Sequence, residues 1–266
     1  MGKSHAAGWA SDSPTPDQLK EFFAQIGDHR VTRDSLQAFL RGKTVVGDLL
    51  TEAERLAVEI LGSDKVLGYR DVCRVQGAEL PEVEPTIPFS EDVLRECANA
   101  NAQGANWRLA YVAGHSLRQE REIMGWNREK QPCFDPDWTW WLEKTQYSWA
   151  NQPVEPGYRL LDFTKRFLSL RWQVQTDEIA KLGTNYERAE EQAVAEICFS
   201  NYLLSPSRER LMQNWYHWGR LQAARGRHVS VGRLGRYGFY VISYWDDAPD
   251  GRLGVVLARK SRALIP

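Results

Sequence analysis

A chain of 266 residues, 42% apolar and 26% charged, has the composition of one large or two modest globular domains. Its net charge of −1 argues against a global attraction to nucleic acid or anionic membrane, and no window has the length and apolarity of a membrane span. Cys73, Cys97, Cys133 and Cys198 are scattered without a CxxC pair, which argues against a zinc knuckle or a disulfide framework and fits a reducing compartment.

Residues 1–10 carry no apolar signal-peptide core, and Ala6 breaks the myristoylation pattern that Gly2 would open, so a cytoplasmic protein is expected. Residues 1–13 are small and polar and predict a flexible tail. Thr15, Pro16 and the Leu19, Phe22, Phe23, Ile26 stripe predict a helix ended by Gly27, and Thr32 to Gly42 predicts a second. Thr51 and Glu54 form a capping box for a third, which Gly62 stops. The three suggest a helical N-terminal domain over 14–79. Three prolines in 80–88 mark a linker over 80–89, and a main domain follows over 90–266.

The main domain opens with a helix capped by Ser90, a strand over 107–113, and a helix begun by the Ser116–Gln119 capping box. Seven of the chain's 11 tryptophans lie within 107–172. Asp135 as N-cap and Pro136 behind it predict a tryptophan-rich helix to about Ala150, with Trp138, Trp141 and Trp149 on its core side. A strand over 158–163 and a helix over 170–182 follow. Thr184 and Glu187 predict another capping box and a helix to about Leu203. The period then changes from 3.6 to 2, and four strands over 215–221, 228–234, 239–245 and 253–259 suggest an antiparallel meander packed on the preceding helix. The expected class is α+β.

The chemical candidates are few. His115-Ser116 stands between a strand and a helix, where a nucleophile could sit, but Ser116 is fully explained as a helix cap. Asp135, Asp137 and Trp140 have the composition of a sugar site, in which carboxylates flank a bond and rings stack on pyranose faces. The Asp-Pro-Asp order is equally explained by helix capping, which is preferred. Asp246, Asp247 and Asp250 lack the alternating spacing of a calcium loop and suggest a surface turn. His5, His29, His115, His217 and His228 share no ligand spacing, so no metal site or other cofactor is expected. His217 and His228 are expected as a structural pair across neighbouring strands.

Between 205 and 236 seven arginines face one acid, Glu209, a local +6 that leaves −7 for the remainder. Arg220, Arg225, Arg227, Arg233 and Arg236, interleaved with aromatics, are the candidates for phosphate binding. A solvated or internally paired face is the preferred explanation.

The words NWRLAYVAGHSLRQEREIMGWNREKQPCF (106–134), PGYRLLDF (156–163), NYERAEEQAVAE (185–196), NWYHWG (214–219) and LGVVLARK (253–260) occur in an order that resembles a family of uncharacterised bacterial proteins. The resemblance covers about 90–260, with a weaker match at DSLQAFLRG (34–42), and it implies no activity, cofactor or site residue. The expected function is therefore a non-catalytic cytoplasmic binding or interaction protein of unspecified partner. Nucleic-acid binding through the arginine-rich segment is the first alternative, and a hydrolase acting on carbohydrate the second.

Overall fold

The computed structural model describes residues 50–143 and 146–261. The expected tail, the helices near 15–27 and 32–42, and most of the expected N-terminal domain lie outside the described residues.

The capping signals act where the sequence places them. Helix α1 (Glu52–Leu61) starts at Thr51, whose hydroxyl accepts from the Glu54 N–H (3.2 Å) while the Glu54 carboxylate accepts from the Thr51 N–H (2.6 Å). A two-residue strand β1 (Val66–Leu67) and helix α2 (Tyr69–Gln76) follow. Irregular chain from Leu80 to Phe89 leads to α3 (Glu91–Ala102), capped by Ser90, then to β2 (Trp107–Val112) and to α4 (Leu117–Met124), opened by the Ser116–Gln119 box. The irregular stretch does not separate two cores. Ala57 and Leu61 of α1 and Val72 of α2 share one apolar cluster with Leu94, Leu109 and Ile197, and all described residues belong to one unit, Leu49–Pro266.

After β3 (Gly157–Arg166) come α5 (Trp172–Lys181), the short strand β4 (Tyr186–Arg188), α6 (Glu191–Leu204), and then β5 (Tyr216–Ala224), β6 (Arg227–Gly235), β7 (Gly238–Trp245) and β8 (Leu253–Arg259). The class is α+β, with six α-helices and an eight-stranded mixed sheet among the described residues. The C-terminal meander forms as β5–β6–β7, all antiparallel. Strand β8 returns to the middle of the sheet. One of its edges pairs antiparallel with β3; the other is shared between β5, parallel at 253–254, and β4, antiparallel at 257–259. Helix α6 packs on β2, β5 and β6, as a lone meander needs, and on α2 and α4 as well.

Two expected helices are corrected. Residues 184–188 carry a helix-start signal, yet 186–188 fill the free edge of β8 and the Ala189 N–H continues the pairing to the Val256 carbonyl (3.0 Å). Helix α6 therefore begins only at Glu191. Among the described residues of its span the tryptophan-rich helix does not form either. Its span holds two short 3₁₀ turns, Trp140–Leu142 and Ser148–Asn151. The physical reason lies at its start, where Phe134 bridges Phe239 of β7 and the Asp135 N–H donates to the Phe239 carbonyl (2.9 Å). The Asp135 carboxylate accepts the Asp137 N–H (2.9 Å), closing an Asx turn rather than capping a helix.

The aromatic mass still builds a core. Phe134, Phe199 and Phe239 meet with centroids 5.0–5.7 Å apart, and Trp141 closes on Phe134 at 5.8 Å. Trp141 is 1% exposed and Trp149 8%, whereas Trp138 is 47% exposed. Truncating Trp141 to alanine should therefore lower stability by about 3–5 kcal/mol. Trp138→Ala should change it by less than about 1 kcal/mol. Urea midpoints of the two variants check this, and equal midpoints would refute it.

Candidate functional site

The loss of the helix at 135 removes the capping explanation of the Asp-Pro-Asp segment and sets its side chains on a cleft. Asp137, Trp138, Trp140 and Tyr147 form one wall, and Arg227 and Ser243, from the outer ends of β6 and β7, form the other, around about 370 Å³. Trp140 is fixed from behind, donating its indole N–H to the Val241 carbonyl (3.0 Å) and meeting Tyr147 edge-on at 4.8 Å and Trp149 at 5.9 Å. Asp137 is mostly exposed and pairs with Arg128. Asp135 is not on the cleft. It is buried, 3.5 Å from the Arg128 guanidinium, and together with burial it pushes the Tyr240 phenol up to about 12.

Arg227 is held in place by an aromatic ring and a backbone carbonyl. Its guanidinium lies 4.9 Å from the Trp245 ring and gives one N–H to the Ser243 carbonyl (3.2 Å), but its buried Nε–H has no partner among the described residues. The other arginines do not share its surface. Arg220 bridges Glu187 (3.6 Å) and Glu190 (3.2 Å). Arg233 stacks on Tyr240 and reaches the Tyr216 hydroxyl (3.4 Å), and Arg236 folds onto Tyr237. Arg225 is exposed. The +6 segment is thus divided over a hairpin and both faces of a sheet.

The histidines are also redistributed. His217 and His228 do not meet. His217 is fully buried, bonded to the Ala189 carbonyl and the Val256 N–H at 3.0 Å each, and burial drives it down to about 3, a neutral ring. His228 points to the opposite sheet face, where it stacks on Trp172 at 4.1 Å and bonds Asp246 at 2.6 Å. No serine or cysteine is hydrogen-bonded to it among the described residues.

A second polar cluster went undetected in the sequence. Glu196 of α6 turns toward the β2–α4 loop and accepts the N–H groups of Ala113, Gly114 and His115. His115 Nδ1 lies 3.3 Å from the Glu120 carboxylate of α4, and Gln76 of α2 donates to both Glu120 and Ser200 at 3.0 Å. Gly114, at φ 95°, has the Val154 carbonyl only 2.8 Å from where a Cβ would stand, so the loop needs glycine there. Burial, then the neighbouring Glu120, pushes Glu196 up to about 7, and the bond to Glu120 raises His115. The signal was weak in sequence because the three residues come from three elements. All four cysteines are buried free thiols, and burial raises Cys97 to about 12.

No family model, curated protein or solved structure matches the chain. Among the described residues no helix is long and apolar enough to cross a membrane.

His217 yields a pH dependence with a definite sign. The unfolded chain takes up a proton near the ordinary value of 6.5, and the folded chain does not until about 3. Between those values the unfolded state binds more protons, so stability should fall with falling pH by about 1.4 kcal/mol per unit. Replacing His217 with Gln should remove that slope from plots of unfolding free energy against pH. Parallel curves for the two proteins would contradict it.

Proposed function

We propose that this is a non-catalytic binding protein whose cleft between the Asp137–Tyr147 segment and the β6–β7 edge takes a carbohydrate ring. The observation that carries the proposal is the convergence of Asp137, Trp140 and Arg227 on one cleft. Indole faces suit the apolar face of a sugar ring. An exposed carboxylate accepts from hydroxyls, and a planar guanidinium donates to them. A few placed polar groups in an aromatic cleft are the usual make-up of a ligand site.

Glycoside hydrolysis receives less support, because it uses two carboxylates across the bond and only Asp137 of the proposed pair lines this cleft. Nucleic-acid binding through Arg220, Arg225, Arg227, Arg233 and Arg236 also receives less, since most of these guanidiniums are engaged by acids or aromatic rings on different surfaces. Four free, buried cysteines fit a cytoplasmic setting.

The test is a tryptophan-fluorescence titration with a panel of neutral, amino and acidic oligosaccharides. At least one should shift the emission saturably. Arg227→Gln should weaken that ligand about tenfold or more, the loss of one charge-assisted hydrogen bond. Trp138→Ala, at an exposed ring, should weaken it too with the fold intact. No saturable shift across the panel, or unchanged affinity in both variants, would overturn the assignment.

A further inference from the structure

We infer that His115, Glu120 and Glu196 form a binding site for a divalent transition-metal ion, separate from the aromatic cleft. Their donor atoms all lie within 4.8 Å of one another. One imidazole and two carboxylates are a donor set that suits zinc, manganese or ferrous iron.

The spacing inside the triad matches a metal better than a salt bridge. His115 Nδ1 and the nearer Glu120 oxygen are 3.3 Å apart. A charge-assisted bond between such groups closes to about 2.7–2.9 Å. Two neighbouring ligands on an ion with bonds of about 2.0–2.2 Å stand about 3.0–3.5 Å apart, which is the separation seen.

Charge gives an independent reason. Glu120 and Glu196 are each 1% exposed, and neither makes an ion pair with a lysine or arginine among the described residues. Their other partners are neutral: backbone N–H groups around Glu196, and the Gln76 amide on Glu120. Two carboxylates removed from water beside each other are costly unless a proton or a cation offsets their charge, and a divalent ion does so with a neutral imidazole.

The surroundings are those of a held site. Gln76 is fully buried, its N–H donors go to Glu120 and Ser200, and its amide oxygen has no partner. It thereby orients Glu120, as the outer partners of metal ligands do. His115 is the member nearest solvent, its side chain 15% exposed, against 1% for each glutamate.

The experiment is metal binding by the full chain. The protein is stripped with a chelator, dialysed, and titrated separately with Zn²⁺, Mn²⁺ and anaerobic Fe²⁺ at neutral pH, by calorimetry and by elemental analysis after gel filtration. At least one ion should bind at one per chain and raise the melting temperature. His115→Ala, on a half-exposed loop, should keep the fold by circular dichroism and weaken that ion by about tenfold or more. Gln76→Ala should weaken it by about 10–100-fold without removing a ligand. Glu196→Gln, which leaves the backbone contacts an acceptor, should weaken it at least as much as His115→Ala. No ion binding tighter than about 100 μM, or a loss below tenfold in folded His115→Ala, would overturn the proposal.

Discussion

The structure depends on burying α6 from every side. Twelve of its 14 residues are buried, including Glu191, Gln192, Glu196, Ser200 and Asn201. A helix with no solvent face must satisfy each of those polar side chains from neighbouring elements, because an unpaired buried group costs about 1–3 kcal/mol. The chain around α6 supplies the partners. Glu191 accepts the Leu221 N–H (2.6 Å), Ser200 accepts from Gln76, and the Asn201 oxygen accepts from Arg108 (2.7 Å). Arg108, itself buried on β2, gives its remaining donors to the Asp64 carbonyl (2.8 Å), the Asn106 side chain (3.2 Å) and Glu209, whose two oxygens accept from Nη2 at 2.8 and 2.9 Å. The helix thus fixes β2, α2, α4 and the bulge of β5 in one arrangement. At β5 the fit excludes a side chain, since a Cβ on Gly219 would lie 2.0 Å from the Glu191 carboxyl.

This dependence explains which parts of the fold were legible in the sequence. Capping boxes at Thr51 and Ser116, glycine stops at Gly62 and Gly125, and the C-terminal alternation all report on the chain within a few residues, and all produced the expected elements. The two helix starts that failed had equally good local signals. Asp135-Pro136-Asp137 satisfies both an N-cap and an Asx turn, and the choice falls to Phe134, which is held against Phe239 more than one hundred residues on. Thr184–Glu187 lost in the same way to the edge of β8. Where a local signal has two solutions, the partner distant in sequence decides.

The candidate sites were legible as residues and not as places. The sequence points to Asp137 and Trp140 for sugar binding and to Arg227 for phosphate binding, and the fold brings all three to one cleft, while Asp135, grouped with Asp137 by sequence, is turned into the interior. The His115 cluster had the opposite history. Ser116 was assigned wholly to capping, and it does cap. Yet the same box fixes where α4 begins, which sets His115 just before the helix and Glu120 one turn inside it, 3.3 Å apart. A structural motif can position a chemical one without containing it. The third member, Glu196, lies far along the chain on another helix.

The two buried glutamates of α6 finally separate structure from site. Burial pushes both up to about 7, so pairing with a proton is available to each. Their surroundings differ in sign. Glu191 has Arg188 and Arg220 nearby, and both guanidiniums favour its charged form. Arg188 is itself fully engaged, by Gln175, the Trp218 carbonyl, Thr176 and the face of Trp172, so that end of the helix is balanced within the protein. Glu196 faces another carboxylate, Glu120, and its one basic neighbour is the half-buried His115. A fold selected only for stability gains nothing from placing a second acid there, since an apolar pair of similar volume is often neutral or better. Guanidiniums offset Glu191 within the protein, whereas Glu196 has backbone N–H groups and His115 alone, which is why the proposed ion is placed at that end of the helix.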